Sequence, residues 1–541
     1  MTLTEFYTTS TVPVLAFIFV ATYVAYVRYI HNRLCCYLPG PNPIPFLGNV
    51  HQLPMEYQER SILEWGKTYG QSYSICDILR MLNASALGNI IYARFFQTHT
   101  IMINSPEIAQ DLLEKRSANY SDRPHMVLQG ELMGWSKMLT HAHYGDRFRK
   151  LRKWTHDAFM SKAALRTYRP IQERETYILL SGLVDSPNEF VSHFTRFTAA
   201  TLAEIAYGHT VTSLDDKYIH LADRAASETV EAGSPGSMLV DFIPILQYYP
   251  TWLPGSGWKR NALRIRELGV AMNDTPYNMV KDKMAEGRAK PSFVSSLLEK
   301  FYRDGNLTSE DEEDIKCAAG VLYGAGTETT ANVFTAFILA MTMYPDVFRK
   351  AQAEIDRVIG PDRLPDFDDR ESLPYLECII REVYRWHPPT PLGIPHCSMR
   401  DDEYNGRVIP GQSLIIANMW GMMREPENFP NPEEFCPERF AERNWSKSES
   451  YYDPRNIVFG FGRRQCPAQN FADSNVYFVL AHIIATMDIS KARDEHGNEI
   501  SPEHSSKSGF VHHILPFKSV IQPRSPKIAQ LIAQLRAASP A

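Results

Sequence analysis

The chain has no CxxC pair, no long basic run, no repeat of fixed period, and no low-complexity linker after residue 50. Each absence removes a class. The eight cysteines (Cys35, Cys36, Cys76, Cys317, Cys378, Cys397, Cys436 and Cys466) are scattered. They lack zinc-site or disulfide-framework spacing and read as mostly reduced, buried thiols of a reducing compartment. A net charge of −6 without a basic block gives no support to nucleic-acid binding. With 44% hydrophobic residues and no linker, the 541 residues are most simply one large domain. Lys and Arg are also missing ahead of the first apolar run, and no A-x-A site follows it. A cleaved signal peptide calls for both.

That run, TVPVLAFIFVATYVAYVRYI at residues 11–30, carries no charge before Arg28. With the weakly polar FYTTS before it, the run is long enough to cross a bilayer core, which takes about 20 residues. Arg28, His31 and Arg33 lie on its far side, so the rule of positive charge inside puts the body in the cytosol and residues 1–10 in the lumen. The sequons at Asn119, Asn306 and Asn444 then never meet the glycosylation machinery. Residues 31–50 hold PGPNPIPFLGN, whose four prolines predict a stiff extended hinge between the anchor and a body over 51–541.

Alternation in IIYARFF and THTIMIN predicts a hairpin over 90–104, and strand-like pieces return at 408–418 and 510–517. Between them helical patterns dominate, so the fold class is mainly α with small β-sheets. The longest helix starts at Thr308 or Ser309, has carboxylates at its positive end and halts at Pro345. It spans roughly 54 Å at 1.5 Å per residue, and its nearly all-round apolar character predicts burial. Glu328, threonines and glycines interrupt its centre, which argues against a second membrane span. In AGTETT (325–330), the flanking Gly324 and Gly326 weaken a turn beside Glu328, Thr329 and Thr330. Such an acid–alcohol pair suits proton delivery beside a flat cofactor, or else marks a kink with satisfied polar groups. Downstream, Glu382 and Arg385 share a helix face, and Arg439 is available as a third partner.

FGFGRRQCPAQ (459–469) presents a single thiol, Cys466. It can be an inert core cysteine, a nucleophile or a thiolate ligand. No histidine stands nearby to activate a nucleophile, and no second Cys or His completes a zinc site. Glycines permit close approach of a cofactor, while arginine and a following helix favour the thiolate.

This loop closely resembles the haem-binding loop of the cytochrome P450 family, whose Phe, Gly, Arg and Cys match Phe459, Gly462, Arg464 and Cys466. AGTETT resembles the family's oxygen-activating helix, and Glu382, Arg385 and Arg439 its Glu-Arg-Arg triad. The anchor and hinge are similar to those of microsomal members, and fungal secondary-metabolism enzymes look nearest. The resemblance implies a haem-thiolate monooxygenase of the endoplasmic reticulum membrane, single-pass, with its catalytic domain cytosolic. It implies heme b ligated by Cys466, with Glu328 and Thr329 relaying protons to iron-bound O2. Ala325 and Gly326 would lie against the haem. Arg152 and Arg464 would pair with its propionates, and His396 is a softer candidate. Electrons would come from NADPH through a separate NADPH–cytochrome P450 reductase, since no flavin or nicotinamide motif is visible. A haem-thiolate isomerase or dehydratase and a non-catalytic haem-binding membrane protein are the rival functions.

Three departures from the family pattern stand out. Ala468 replaces the glycine two residues past the cysteine, and Phe148 replaces a tryptophan ahead of Arg152. Residues 71–88 (QSYSICDILRMLNASALG) intervene between a helix and the first strand, where the family runs straight on. At three nucleotides per residue this is the size of a short fungal intron. The codons of Gly70, Leu82–Asn83 and Leu87 can spell donor, branch and acceptor sites. The segment reads as a retained intron, with a genuine surface insertion as the alternative. Expected contacts for a lipophilic substrate lie in 125–139, 242–258, 389–396 and 509–512, and at Tyr323. They suit a terpenoid, sterol, polyketide or aromatic compound.

Overall fold

A computed structural model describes residues 37–69, 89–213, 216–231, 238–441 and 450–539. The expected anchor at 11–30 and the 71–88 segment lie outside the described residues, as does Asn444. Among the described residues, no single helix is long and apolar enough to cross a membrane.

The hinge is less of a free spacer than its prolines suggest. Tyr92 N donates to Pro39 O at 2.8 Å and Asn49 N donates to Arg94 O at 2.6 Å, so residues 39–49 lie along the first strand. A Cβ on Gly40 would fall 1.8 Å from Tyr92 O, which makes glycine obligatory at this approach.

Helix α1 (Gln58–Tyr69) packs on that strand, β1 (Ile90–Phe95), which forms the predicted hairpin with β2 (Thr98–Ile103). The helices that follow include α2 (Asp146–Phe159), α3 (Lys162–Asp185), α4 (Phe190–Tyr207), α5 (Gly257–Ala285) and α6 (Ser309–Met343). Helix α7 (Pro374–Trp386) leads to β3 (His396–Cys397) and β4 (Leu414–Ala417). These complete a sheet ordered β1-β2-β4-β3, with β2 and β4 parallel. Next come α8 (Gln469–Thr486), β5 (Met487–Arg493), β6 (His513–Ile514) and β7 (Ser519–Pro523). The fold is mainly helical with small sheets, as the sequence indicates. The antiparallel pair β5–β7 escaped sequence reading because MDISKAR and SVIQP are half-exposed and alternate weakly.

Helix α6 is the axis. Thr308 Oγ1 accepts from Asp311 N at 3.1 Å and Asp311 Oδ2 accepts from Thr308 N at 3.2 Å, a complete capping box. The Thr308 hydroxyl bond leads in holding the Asp311 carboxyl below its usual range. The helix stays α-helical throughout, so the glycines do not break it. They admit neighbouring helices: a Cβ on Gly326 would come within 2.7 Å of Leu202 Cδ1 in α4. Phe334 and Phe337 of α6 join Phe194 and Phe197 of α4 in the largest apolar cluster.

Asn119 is buried, exchanging bonds with Arg400 through Nδ2 to Arg400 O (3.1 Å) and Oδ1 from Arg400 N (3.0 Å). The folded protein has no room for a glycan there.

Burial holds three core histidines neutral: His387 is pushed down to about 3, His482 to about 4 and His512 to about 4. The unfolded chain binds protons at these groups near pH 6.5 while the fold refuses them. This stability is fully present above pH 6.5 and is lost as pH falls toward the depressed values. Each group contributes up to about 1.4 kcal/mol per pH unit. Thermal midpoints measured from pH 7 to 5 should fall steadily, and a flat profile would contradict this accounting.

Candidate functional site

The loop before α8 turns through two left-handed residues, Gly460 (φ +74°) and Gly462 (φ +56°), and is closed by Cys466 N donating to Phe459 O at 2.8 Å. Gly462 does not line the cavity that Cys466 faces. A Cβ there would sit 2.0 Å from Leu113 O, so this glycine lets the loop rest on the backbone of Leu113–Glu114. The structure thus gives this glycine a part in seating the loop. Ala468 adopts φ −107°, a conformation open to any residue, so the departure from glycine carries no strain.

Cys466 opens into a cavity of about 360 Å³, within the roughly 300–1,000 Å³ typical of cofactor and small-molecule sites. Burial pushes its thiol up, while the Ala468 amide and nearby Arg152 pull the other way. A bound metal cation overrides that burial and deprotonates a ligating thiol outright.

The same cavity is walled by Arg123, Arg152 and Arg464, with His141 and His396. Each guanidinium is aimed by backbone carbonyls. Arg464 donates Nε to Ser121 O and Nη2 to Ala142 O, both at 2.7 Å. Arg123 donates Nε to Thr140 O (2.8 Å) and Nη1 to Ile394 O (2.7 Å) and Pro395 O (2.8 Å). Arg152 donates to Gln465 O. Arg464 also lies 3.8 Å over the Phe148 ring, which explains why a phenylalanine serves where an indole is usual. Burial and mutual repulsion lower Arg464 to about 10 and hold Arg123 well below its ordinary value. Among the described residues lining the cavity, Glu328 is the one carboxylate, and it lies beside His513. This wall therefore fits a ligand that brings its own carboxylates, as haem does with two propionates.

His396 behaves differently from the arginines. Burial lowers it to about 3, and its Nδ1 donates to Tyr120 O at 2.7 Å. In that state Nε2 is an acceptor, so His396 joins a carboxylate only after taking up a proton. Sequence reasoning missed Arg123 and His141. The sole local signal was Pro124, which pins the preceding residue extended.

On the facing side, α6 is buried from Cys317 to Tyr323 and from Thr330 to Thr342, yet Ala325 between them is exposed. Ala325, Gly326, Glu328 and Thr329 all line the cavity. A cradle of this kind accepts a flat group laid against the helix. Thr329 Oγ1 donates to Ala325 O at 2.9 Å, which leaves its lone pairs to the cavity.

The triad is formed and buried. Arg385 holds Glu382 through two bonds, Nε to Oε2 at 2.7 Å and Nη2 to Oε1 at 2.9 Å. Arg439 Nε reaches Oε1 at 3.1 Å and Cys436 N reaches it at 2.7 Å. Tyr384, on the same helix, packs edge-on against Phe459 with centroids 5.6 Å apart, linking triad and thiol loop.

Of the expected substrate contacts, Gln129, Trp135, Met138, Leu139, Leu392, Phe510 and others nearby line the cavity. Tyr323 lines a separate small pocket with Tyr207 and His209, and Phe242 packs on Phe95 and Phe96. Leu246 and Trp258, by contrast, pack in a cluster with Trp135, which lines the cavity.

Comparison with known proteins agrees with this geometry. The family model described as Cytochrome P450 matches residues 38–519. Cytochrome P450 monooxygenase 176 of Postia placenta is 44% identical over 496 residues, covering 92% of this chain and 92% of that protein. Cytochrome P450 monooxygenase claR of Ampulloclitocybe clavipes is 40% identical over 498 residues, covering 91% and 88%. With the thiol loop, the arginine wall and the exposed cradle on α6 in one cavity, the chain belongs to the cytochrome P450 family and is a monooxygenase that carries haem on the Cys466 thiolate.

Proposed function

We propose that the protein inserts one oxygen atom into a lipophilic small molecule of secondary metabolism, a terpenoid, sterol, polyketide or aromatic compound. The observation that carries this reading is the cavity, which brings Cys466 together with Glu328 and Thr329 among mostly apolar side chains. Bound there, haem supplies dioxygen activation, which a thiolate ligand promotes by favouring O–O cleavage. Arg123, Arg152 and Arg464 orient it by its carboxylates, and Cys466 is held by the Phe459 bond and the Ala468 amide. Glu328 and Thr329 hold protons at the cavity edge. Their intact pair favours monooxygenation over isomerase or dehydratase chemistry. Glu328→Gln and Thr329→Ala should each lower product formed per NADPH consumed by tenfold or more, within the usual range of proton-transfer catalysis. Binding of the compound, read by the Soret shift, should stay within about twofold. Unchanged coupling in both variants would defeat the reading.

The surface supports a membrane setting on the endoplasmic reticulum. Phe46 (75% exposed), Met55 (76%), Ile245 (73%), Tyr248 (76%) and Trp252 (79%) stand in water. Phe242, packed on Phe95 and Phe96, joins the hinge side to the 238–252 segment. A protein lacking residues 1–36 should therefore still sediment with phospholipid vesicles. Changing Ile245, Tyr248 and Trp252 together to serine should abolish that, since each buries apolar area worth about 1.5–3 kcal/mol. Electrons pass from NADPH through a separate reductase docking near the thiol loop, where Lys153 and Arg463 are exposed; Lys115 and Arg149 there pair with Asp111 and Asp146.

Residues 71–88 we read as a retained intron. Helix α1 and strand β1 on either side already pack together, so the fold has no need of the segment. Deleting it should leave the carbon-monoxide difference spectrum intact. Transcripts that all retain it would refute the intron.

A further inference from the structure

Protons destined for Glu328 need an entry, because its side chain is only 14% exposed. The described fold offers one at the other side of that carboxylate. His513 Nε2, on β6, lies 3.9 Å from Glu328 Oε2, and its own side chain is 43% exposed. His513 is not among the residues lining the cavity, whereas Glu328 is. The two side chains therefore connect the cavity with solvent.

The pairing is held by a buried frame. Asn332, one turn along α6 from Glu328, donates Nδ2 to His512 O at 2.6 Å. His387, just past α7, donates Nε2 to the same carbonyl at 2.9 Å, and its Nδ1 accepts from His504 Nε2 at 3.1 Å. Asn332, His387 and His512 are all buried. Strand β6 is thus tied to α6 at the residue before His513, which fixes the approach of the imidazole to the carboxylate.

We propose that His513 is the solvent-side positioning residue of proton supply, acting through Glu328. The proposal rests on the reading of Glu328 and Thr329 as the proton-holding pair. In the step, the 3.9 Å gap first closes to hydrogen-bond distance by movement of the half-exposed imidazole; its Nε2–H bond then breaks as an Oε2–H bond forms on Glu328. The neutral imidazole regains its proton from solvent water, and Glu328 passes the proton on toward Thr329. No electrons move. Among the described residues, the groups facing His513 include Glu328 from α6, Lys507 directly across the strand pair, His512 beside it and His387 from the end of α7. Burial keeps both histidines neutral, so Glu328 is the anion that favours the imidazolium and Lys507 the cation that opposes it.

Two measurements on the full-length protein with haem test this. In the reduced, carbon-monoxide-bound form, histidine-ring NMR identifies His513 by its loss in His513→Gln. Its titration midpoint should drop by about half a unit or more in Glu328→Gln, as expected when a neighbouring anion is removed. With reductase, NADPH and 7-ethoxycoumarin as lipophilic probe, His513→Gln should divert several-fold more of the consumed oxygen to hydrogen peroxide. It should also enlarge the solvent deuterium isotope effect, while the carbon-monoxide spectrum and the probe's Soret shift stay unchanged. A titration of His513 indifferent to Glu328→Gln would overturn the proposal. So would normal peroxide yield and isotope effect in His513→Gln when Glu328→Gln is impaired. If Glu328→Gln is itself fully coupled, the proton-holding pair falls, and this inference falls with it.

Discussion

Cys466→Ser should give a protein that folds but shows no thiolate-type Soret band when reduced and exposed to carbon monoxide, with monooxygenase activity lost completely. The fold survives because the loop is set by backbone features, the Cys466 N to Phe459 O bond and the left-handed Gly460 and Gly462, none of which needs sulfur. What disappears is the anionic ligand. Serine keeps a hydroxyl donor that does not ionise near neutrality, so it offers the iron no thiolate to push electron density. The arginine wall is untouched, so some haem should still enter, with a band of another type. Far-ultraviolet circular dichroism separates this outcome from misfolding. A normal thiolate-type band in Cys466→Ser would place the ligand elsewhere.

The second large effect lies away from the cavity. Glu382→Ala should prevent accumulation of haem-loaded protein. Its carboxylate is fully buried and accepts from Arg385 twice, from Arg439 and from the Cys436 amide. Removing it strands two guanidinium groups in the core, and breaking such a pair costs about 3–5 kcal/mol. Against a total stability of about 5–15 kcal/mol, that loss is severe. Arg439→Lys should be milder, because Arg385 keeps its two-bond hold on Glu382. Haem content and the urea midpoint report both variants. A Glu382→Ala protein with wild-type midpoint and full haem would show that the triad does not support the loop.

The difference between these residues and those the sequence concealed is one of range. Thr308 with Asp311, Glu382 with Arg385, and Phe459 through Cys466 are local patterns, four to eight residues long, whose chemistry shows in their spacing. Helix α6 announced itself by length, cap and apolar character. Arg123 enters the site through carbonyls at Ile394 and Pro395, more than 270 residues away, and nothing in SDRPH encodes that meeting. His387 and His512 likewise meet only after α6 and the C-terminal strands have packed. Gly326 and Gly462 both stand at close approaches of other parts of the chain. Which body approaches was not legible, since Leu202 and Leu113 come from distant helices and turns. Tyr323 and Phe242 looked apt for a substrate by composition, yet they pack in a small side pocket and on Phe95 and Phe96.

The three cavity arginines have one more consequence. Each is caged by main-chain oxygens in a compartment where burial, with repulsion added, already lowers Arg464 and Arg123. Without the two propionates, the chain must keep that charge at its centre with only Asp122 partly offsetting Arg123 and Arg464. A ligand that binds only the folded form stabilises it by mass action. The pigment is then a counterion for the interior as much as a reagent. How much of this protein a cell can maintain will follow its porphyrin supply, and host cells fed a porphyrin precursor should yield more folded chain at the same level of messenger.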